Sequence, residues 1–257
     1  MEKIKLEFSN DRQVAAITLD DGKGNVLDYL MMEELQAVFN AFKAENGLKI
    51  ITFEGAGKHF SFGASVEEHQ QEYAATMLRS FHQLFSTLRD LSVPTLAKIS
   101  GQCLGGGMEL AIMCNFLFAD RSARLGQPEI LLGVFPPPAS IILPEKIGLA
   151  RAEELLITGR TITGEEAKNI GLVNEIFEDK TALDEGVEAW IEKYILPKSA
   201  SSLRFGVKAV RAKFNHILGN FLPQLENLYV NQLMATADAN EGIQSFLEKR
   251  KPVWGNN

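Results

Sequence analysis

Two acids of this 257-residue chain lie where an ionised carboxylate is costly: Glu109, inside the run SGQCLGGGMELAIMCNFLFA from Ser100 to Ala119, and Glu129, at the head of the apolar run QPEILLGVFPPPAS. A carboxyl group among Leu, Met, Ile and Phe is expected to have an unusual pKa. Glu109 follows three consecutive glycines, Gly105, Gly106 and Gly107. Such a triplet loses much conformational entropy on ordering, so it points to backbone that must come close to something. Gly106 and Glu109, three residues apart, share one face of a starting helix. The Gly106 N–H is an orphan donor of that terminus, so an oxygen held there would lie beside the Glu109 carboxyl. Close helix–strand packing around a salt-bridged glutamate fits the same residues.

A second glycine-containing loop, Gly55 to Ser65 (GAGKHFSFGAS), follows an apolar strand. Its N–H groups could face an anion or a developing negative charge, or the loop could be a plain strand-to-helix turn. The combination says more than either part: two loops able to supply oxyanion donors, and two acids near a dry surface.

The elements that must position these groups follow from periodicity. Residues 4–8 and 12–19 alternate with period two and predict antiparallel strands joined at Asn10-Asp11, with GKGN at 22–25 as a loop. Asp28 reads as the N-cap of a helix to about Asn46, with Leu35, Val38, Phe39 and Phe42 on one face. LKIITFEGAG and PTLAKIS read as buried strands. Ser65 with Glu68 matches a capping box opening a helix whose main stretch is 72–91. A helix is expected from near Gly106, a strand at 115–120 and a shorter one at 124–127. From Ala139 the segments 139–147, 149–158, 163–170, 181–195, 199–219 and 222–250 read as mainly helical, interrupted by the strand LVNEIF. The chain is therefore α/β in its first half and mainly α in its second, with βαβ units early on.

Composition removes several function classes. A net charge of -7 disfavours nucleic acid as the main partner, while a local basic rim could still hold a small anion. Cys103 and Cys114 have no metal-binding spacing and read as buried thiols of a reducing compartment. The charged, alternating N-terminus is unlike a signal peptide, and no apolar run reaches the roughly 20 residues of a membrane span. A cytoplasmic location is expected. GQCLGGG lacks the spacing of a dinucleotide fingerprint, and the absence of G-x-S-x-G argues against a hydrolase built on His59 or His69.

The set HFSFGAS, GQCLGGGMELAIMCNFLFAD, LGQPEILLGVFP and LLITGRTITGEEAKNIGLVNEIF, in that order over nearly the whole chain, resembles the crotonase (enoyl-CoA hydratase/isomerase) superfamily. The resemblance implies a ClpP/crotonase-like spiral of ββα units over residues 1–195 and a C-terminal helical region, 196–257, that builds homotrimers or homohexamers. It implies an acyl-CoA thioester substrate, with coenzyme A part of that substrate and neither a metal nor a separate cofactor.

By that likeness Ala64 and Gly106 supply the oxyanion N–H groups around the thioester carbonyl, Phe62, Gly63, Ala64, Ser65 and Val66 run along the CoA with mainly backbone contacts to its adenine and pantetheine, and Gly105 and Gly106 complete the CoA-thioester site. Glu109 and Glu129 fall on the two acid positions of hydratases. Lys58 and Lys249-Arg250-Lys251 are candidate rims for the CoA phosphates, a solvated basic tail being the plain alternative for the latter. In a hydratase one acid would act as base on water and the other as acid toward carbon, with coupled titrations.

Two departures stand out: Ser65 replaces an acid after GA, and the glycine-rich stretch usual after QPE is replaced by a wall of Val134, Phe135, Pro136 and Pro137, continuing through Pro138 to Ser140. Prolines fix φ and remove donors, so this wall is stiffer. FSFGASVEEH with GVFPPPAS resembles the members of the family that hydrate cyclohexa-1,5-diene-1-carbonyl-CoA to 6-hydroxycyclohex-1-ene-1-carbonyl-CoA in anaerobic benzoyl-CoA degradation. The alternatives are a general short-chain enoyl-CoA hydratase, an enoyl-CoA isomerase, and a non-catalytic binding protein of the same fold.

Overall fold

The computed structural model describes residues 1–256. In chain order the strands are β1 (Ile4–Ser9), β2 (Val14–Leu19), β3 (Ile50–Gly55), β4 (Thr95–Ile99), β5 (Gln102–Leu104), β6 (Phe116–Asp120), β7 (Arg124–Gly126), β8 (Thr161–Thr163) and β9 (Glu175–Phe177). Between and after them run α1 (Tyr29–Phe42), α2 (Gln71–Leu91), α3 (Gly105–Met113), α4 (Pro137–Ile147), α5 (Leu149–Thr158), α6 (Gly164–Asn169), α7 (Lys180–Tyr194), α8 (Ala200–Val210), α9 (Ala212–Asn231) and α10 (Ala237–Leu247).

A six-stranded sheet has the order β1-β2-β3-β4-β6-β9, antiparallel only at β1-β2, and a small sheet has the order β5-β7-β8. The parallel strands read as continuous apolar runs because both of their faces are covered. Ile51, Phe53, Ala97, Ile99 and Leu117 face the main core, while Ile50, Leu96 and Phe118 pack against Leu183, Val187 and Ile191 of α7.

The path is a spiral. β4, β5 and α3 make one turn, with a strand in each sheet followed by a helix; β6, β7 and α4 make the next. The preceding turn runs from β3 through Ser61, which bridges to Cys103 of β5, into α2. The crossings between sheets are locked edge to edge: Ser61 N–H donates to Gln102 O at 3.0 Å and Leu104 N–H to Ser61 O at 3.0 Å. Consecutive crossings therefore stack at one place, and the two glycine-containing loops lie there.

Three expectations change. Ser65 does not cap a helix: its N–H is committed to Leu27 O at 3.2 Å, and only a single 3₁₀ turn, Glu67–His69, follows. α2 begins at Gln71 without a side-chain cap, and Glu68 instead accepts from Tyr29 N–H at the start of α1. The helical break expected near 219–222 does not occur, since α9 continues through Pro223. Proline there removes one backbone donor, while Leu218, Leu222 and Tyr229 hold the helix in the core. The real breaks are at Arg211 and after Asn231. β5 and β8, three residues each, are too short for a period-two signal.

Met234, Ala239 and Ile243 join the same core cluster as the spiral. Both cysteines are buried thiols. No described helix is long and apolar enough to cross a membrane.

Candidate active site

A cavity of about 480 Å³ opens where the crossings stack. Its walls come from 62–67, 104–106, Pro128 and Glu129, the segment 134–137, and residues of α2, α9 and α10. Of the residues expected from sequence, Phe62, Gly63, Ala64, Ser65, Val66, Gly105, Gly106, Glu109, Glu129, Val134, Phe135, Pro136 and Pro137 all line this one space. Lys58 does not: it is exposed on the preceding loop. Arg250 is occupied by Glu241 and Glu248 and is no free rim cation.

The backbone at Ala64 is placed by its neighbours' hydrogen bonds. Leu27 N–H donates to Gly63 O at 2.9 Å and Ser65 N–H to Leu27 O. Gly63, at φ +111°, adopts a conformation that L side chains rarely take. The Ser61 hydroxyl donates to Asn25 O at 2.7 Å and accepts from Gly63 N–H at 3.0 Å. Both neighbours of Ala64 are thus tied down, while among the described residues the Ala64 N–H has no acceptor.

Gly106 N–H belongs to the first turn of α3, where no intrahelical acceptor exists and no side chain caps. A Cβ on Gly106 would lie 3.1 Å from Ala64 N and 3.3 Å from Phe81 Cζ, so the two free N–H groups border the same small space. Each glycine of the triplet has its own reason: at Gly105, φ +50° and a Cβ site 2.9 Å from Glu129 Oε1; at Gly107, a Cβ site 2.5 Å from the Ser61 side chain.

The loop at 22–26, unremarkable in sequence, is the fixture behind this. Asp21 accepts from the N–H groups of Lys23, Gly24, Asn25 and Val26. Buried Asn25 then donates from Nδ2 to the carbonyl oxygens of His59 at 2.8 Å, Ala56 at 3.0 Å and Phe60 at 3.3 Å. Asn25→Ala leaves those carbonyls without their donor. It is expected to cost about 1–3 kcal/mol of stability in a denaturant titration and to lower turnover through misplacement of Ala64.

The two acids face the cavity from different turns. Glu109 is 4% exposed, and its Oε1 accepts from Ala139 N–H at 2.9 Å. Pro137 and Pro138 open α4 and have no N–H, so Ala139 supplies that helix's first backbone donor and spends it on Glu109. Glu129 sits in the 3₁₀ turn Pro128–Leu132. With the Gln127 amide oriented so that nitrogen faces the acid, Nε2 donates to Oε1 at 3.0 Å and Oε2 at 3.1 Å.

Burial first, and then the Glu129 charge, push the Glu109 pKa well above its ordinary value against the Ala139 N–H, which lowers it. Burial likewise raises Glu129, to about 8. At Glu109 burial outweighs the Ala139 N–H. Two electrostatically coupled carboxyls raised in this way keep at least one proton between them at neutrality.

Three lining or supporting groups had no role at this site in the sequence reading. Gln127, fully buried, was visible only as a member of QPE. His69 lines the cavity with Nδ1 2.7 Å from Ser65 O, and burial lowers its pKa. Tyr229 of α9 is 1% exposed, stands edge-on to Phe135 at 5.4 Å, and its hydroxyl has no hydrogen-bond partner among the described residues. Apart from Ser65 and Glu67 the rest of the lining is apolar, Met77, Leu78 and Phe81 facing the proline wall, and the same space holds two backbone donors and two carboxyls.

Known proteins resemble this chain over its whole length. The family described as Enoyl-CoA hydratase/isomerase matches residues 9–257. A cyclohexa-1,5-dienecarbonyl-CoA hydratase of Thauera aromatica is 41% identical over 253 residues, covering 98% of this chain and 97% of its own. A probable enoyl-CoA hydratase of Bacillus subtilis is 33% identical, covering 96% and 97%. The crystal structure of an enoyl-CoA hydratase from Bacillus halodurans superimposes with a TM-score of 0.87 at 24% identity, covering 95% of this chain and 99% of its own. That last likeness carries the fold, in agreement with the expected ββα spiral.

Proposed function

This chain belongs to the enoyl-CoA hydratase/isomerase family and is an enzyme of the hydro-lyase type, and from that premise we propose that it hydrates cyclohexa-1,5-diene-1-carbonyl-CoA to 6-hydroxycyclohex-1-ene-1-carbonyl-CoA. The observation that carries the chemistry is the pair of carboxyls, Glu109 and Glu129, at the end of an apolar cavity that also holds two unused N–H groups. The substrate assignment is supported by the Thauera relative and by the stiff wall from Val134 to Pro137, which suits a flat ring better than a flexible chain.

The thioester oxygen accepts from Ala64 N–H and Gly106 N–H, so negative charge arriving there meets donors that need no reorganisation. The ionised glutamate takes a proton from water as the water oxygen bonds to the ring carbon β to the carbonyl. The π electrons move toward the thioester and spread over the second double bond. The protonated glutamate then delivers its proton to the far carbon of that second double bond. The remaining double bond lies between the ring carbon that bears the thioester and its other ring neighbour. One proton has left water and one has entered the ring, so exchange between the two carboxyls restores the start. The exposed apolar side chains Phe205, Val210 and Phe221 of the C-terminal helices are the surface we assign to self-association.

Turnover of the cyclic dienoyl-CoA beside crotonyl-CoA, followed spectrophotometrically, tests the substrate. The expected kcat/KM favours the ring by at least about tenfold, the size of a modest pocket-fit difference. Faster hydration of crotonyl-CoA would overturn the assignment in favour of a general short-chain enoyl-CoA hydratase.

A further inference from the structure

A buried hydroxyl without a partner costs about 1–3 kcal/mol, and the Tyr229 hydroxyl is such a group, carried by a residue that lines the same cavity as Glu109 and Glu129. Phenylalanine would fill the same volume and keep the edge-on contact with Phe135 at no such cost. Packing therefore accounts for the ring and not for its oxygen. Both carboxyls act on the phenol electrostatically, each raising its pKa after burial has done so, which places its hydroxyl in the field of the pair. The phenol therefore stays protonated throughout the working pH range.

We infer that Tyr229 is a third contact of the water that adds to the acyl group, its hydroxyl oxygen accepting the water proton that the glutamates do not take. The inference rests on the hydratase reading above. A water molecule has four hydrogen-bonding directions. One proton points to the ionised glutamate, and one lone pair accepts from the protonated glutamate. With only those two contacts the molecule can still turn about them. A third contact at the second proton leaves a single lone pair, directed at the β carbon. The phenol exchanges no atom with the substrate: the second proton stays on oxygen and becomes the product hydroxyl hydrogen. Ordered waters in polar pockets typically have about three partners, which is the number this arrangement supplies.

Tyr229→Phe tests it, measured in the full-length protein on whichever of the two thioesters the wild type hydrates. Expected are a roughly 10- to 100-fold lower kcat, unchanged affinity for saturated cyclohexanecarbonyl-CoA, which needs no water, and a thermal midpoint equal to or above the wild type's. A kcat within about threefold of wild type overturns the inference. So does a loss accompanied by an equal loss of saturated-ligand affinity, which would mean that the hydroxyl only shapes the pocket. Because the comparison is with the wild type on its own substrate, an error in the substrate assignment appears in the wild type, and an error about the tyrosine only in the variant.

Discussion

Glu109→Gln and Glu129→Gln are each expected to lower hydratase turnover by about 10²–10⁴-fold, the usual worth of a positioned acid or base, while saturated acyl-CoA still binds. Near-normal turnover in either variant would remove that residue from the chemistry. The pH dependence of the wild type should follow the pair rather than either residue. Turnover falls on the acid side, where both carboxyls are protonated and no base remains. It falls again at higher pH: Glu129 ionises first, at about 8, and beyond that Glu109, whose proton the Glu129 charge helps to hold, gives up the last proton and no acid remains.

In the Gln variants stability should move in the opposite sense to activity. Both pKa values are raised in the folded protein, so the folded state holds protons that the unfolded state releases. The stability that depends on those protons is whole below the unfolded carboxyl pKa. It is lost as pH rises through the folded values, each tenfold difference in proton affinity between the two states being worth about 1.4 kcal/mol. Each Gln variant should therefore melt higher than wild type at pH 9, by roughly 5 °C, with little difference at pH 4. A lower midpoint at pH 9 would mean that the carboxylates are structurally supported and that burial is not the dominant influence on them.

The second large effect is expected at Gly106. Gly106→Ala sets a methyl group 3.1 Å from Ala64 N and 3.3 Å from Phe81 Cζ, in the space both free N–H groups border. The thioester oxygen can then no longer approach both donors, and kcat/KM should drop about 10²–10³-fold, the typical loss when an oxyanion donor is removed. Alanine also favours a helix over glycine by up to about 1 kcal/mol, so unfolding is not the expected route to inactivity. Gly206→Ala in α8, where a Cβ meets nothing, is the control and should leave turnover unchanged. Full activity in Gly106→Ala would place the thioester oxygen elsewhere.

How far the site was legible depended on whether each residue broke a local pattern. Glu109 and Glu129 did, as acids in apolar runs, and so did the glycine triplet. Tyr229 did not: a tyrosine at helical spacing beside Leu222 and Leu225 reads as ordinary core, and only its unpartnered hydroxyl marks it. Asn25 lay in a loop whose importance comes from carbonyls some 30 residues away. Such partnerships have no periodicity to detect.

Ser65 misled for a related reason. The capping-box pattern was real, but the tie between its backbone N–H and Leu27 O, made across the fold, outranked a local preference. The strands and early helices were legible because long apolar runs and 3.6-residue periodicity are strong signals. β5 and β8 were not, being three residues long and defined by their neighbours.

Stacked crossings also have a kinetic side. Ala64, Gly106 with Glu109, Glu129 and Tyr229 come from four separate stretches of chain, and none of them approaches the others through local structure. Closing such distant segments is the slow part of folding, since loop entropy is lost before any contact compensates for it. A refolding chain can thus regain most of its helical content before α9 docks, and in that interval it has no working cavity. The cavity is therefore expected to be the last feature this fold acquires and, on partial unfolding from the C-terminal side, among the first it loses.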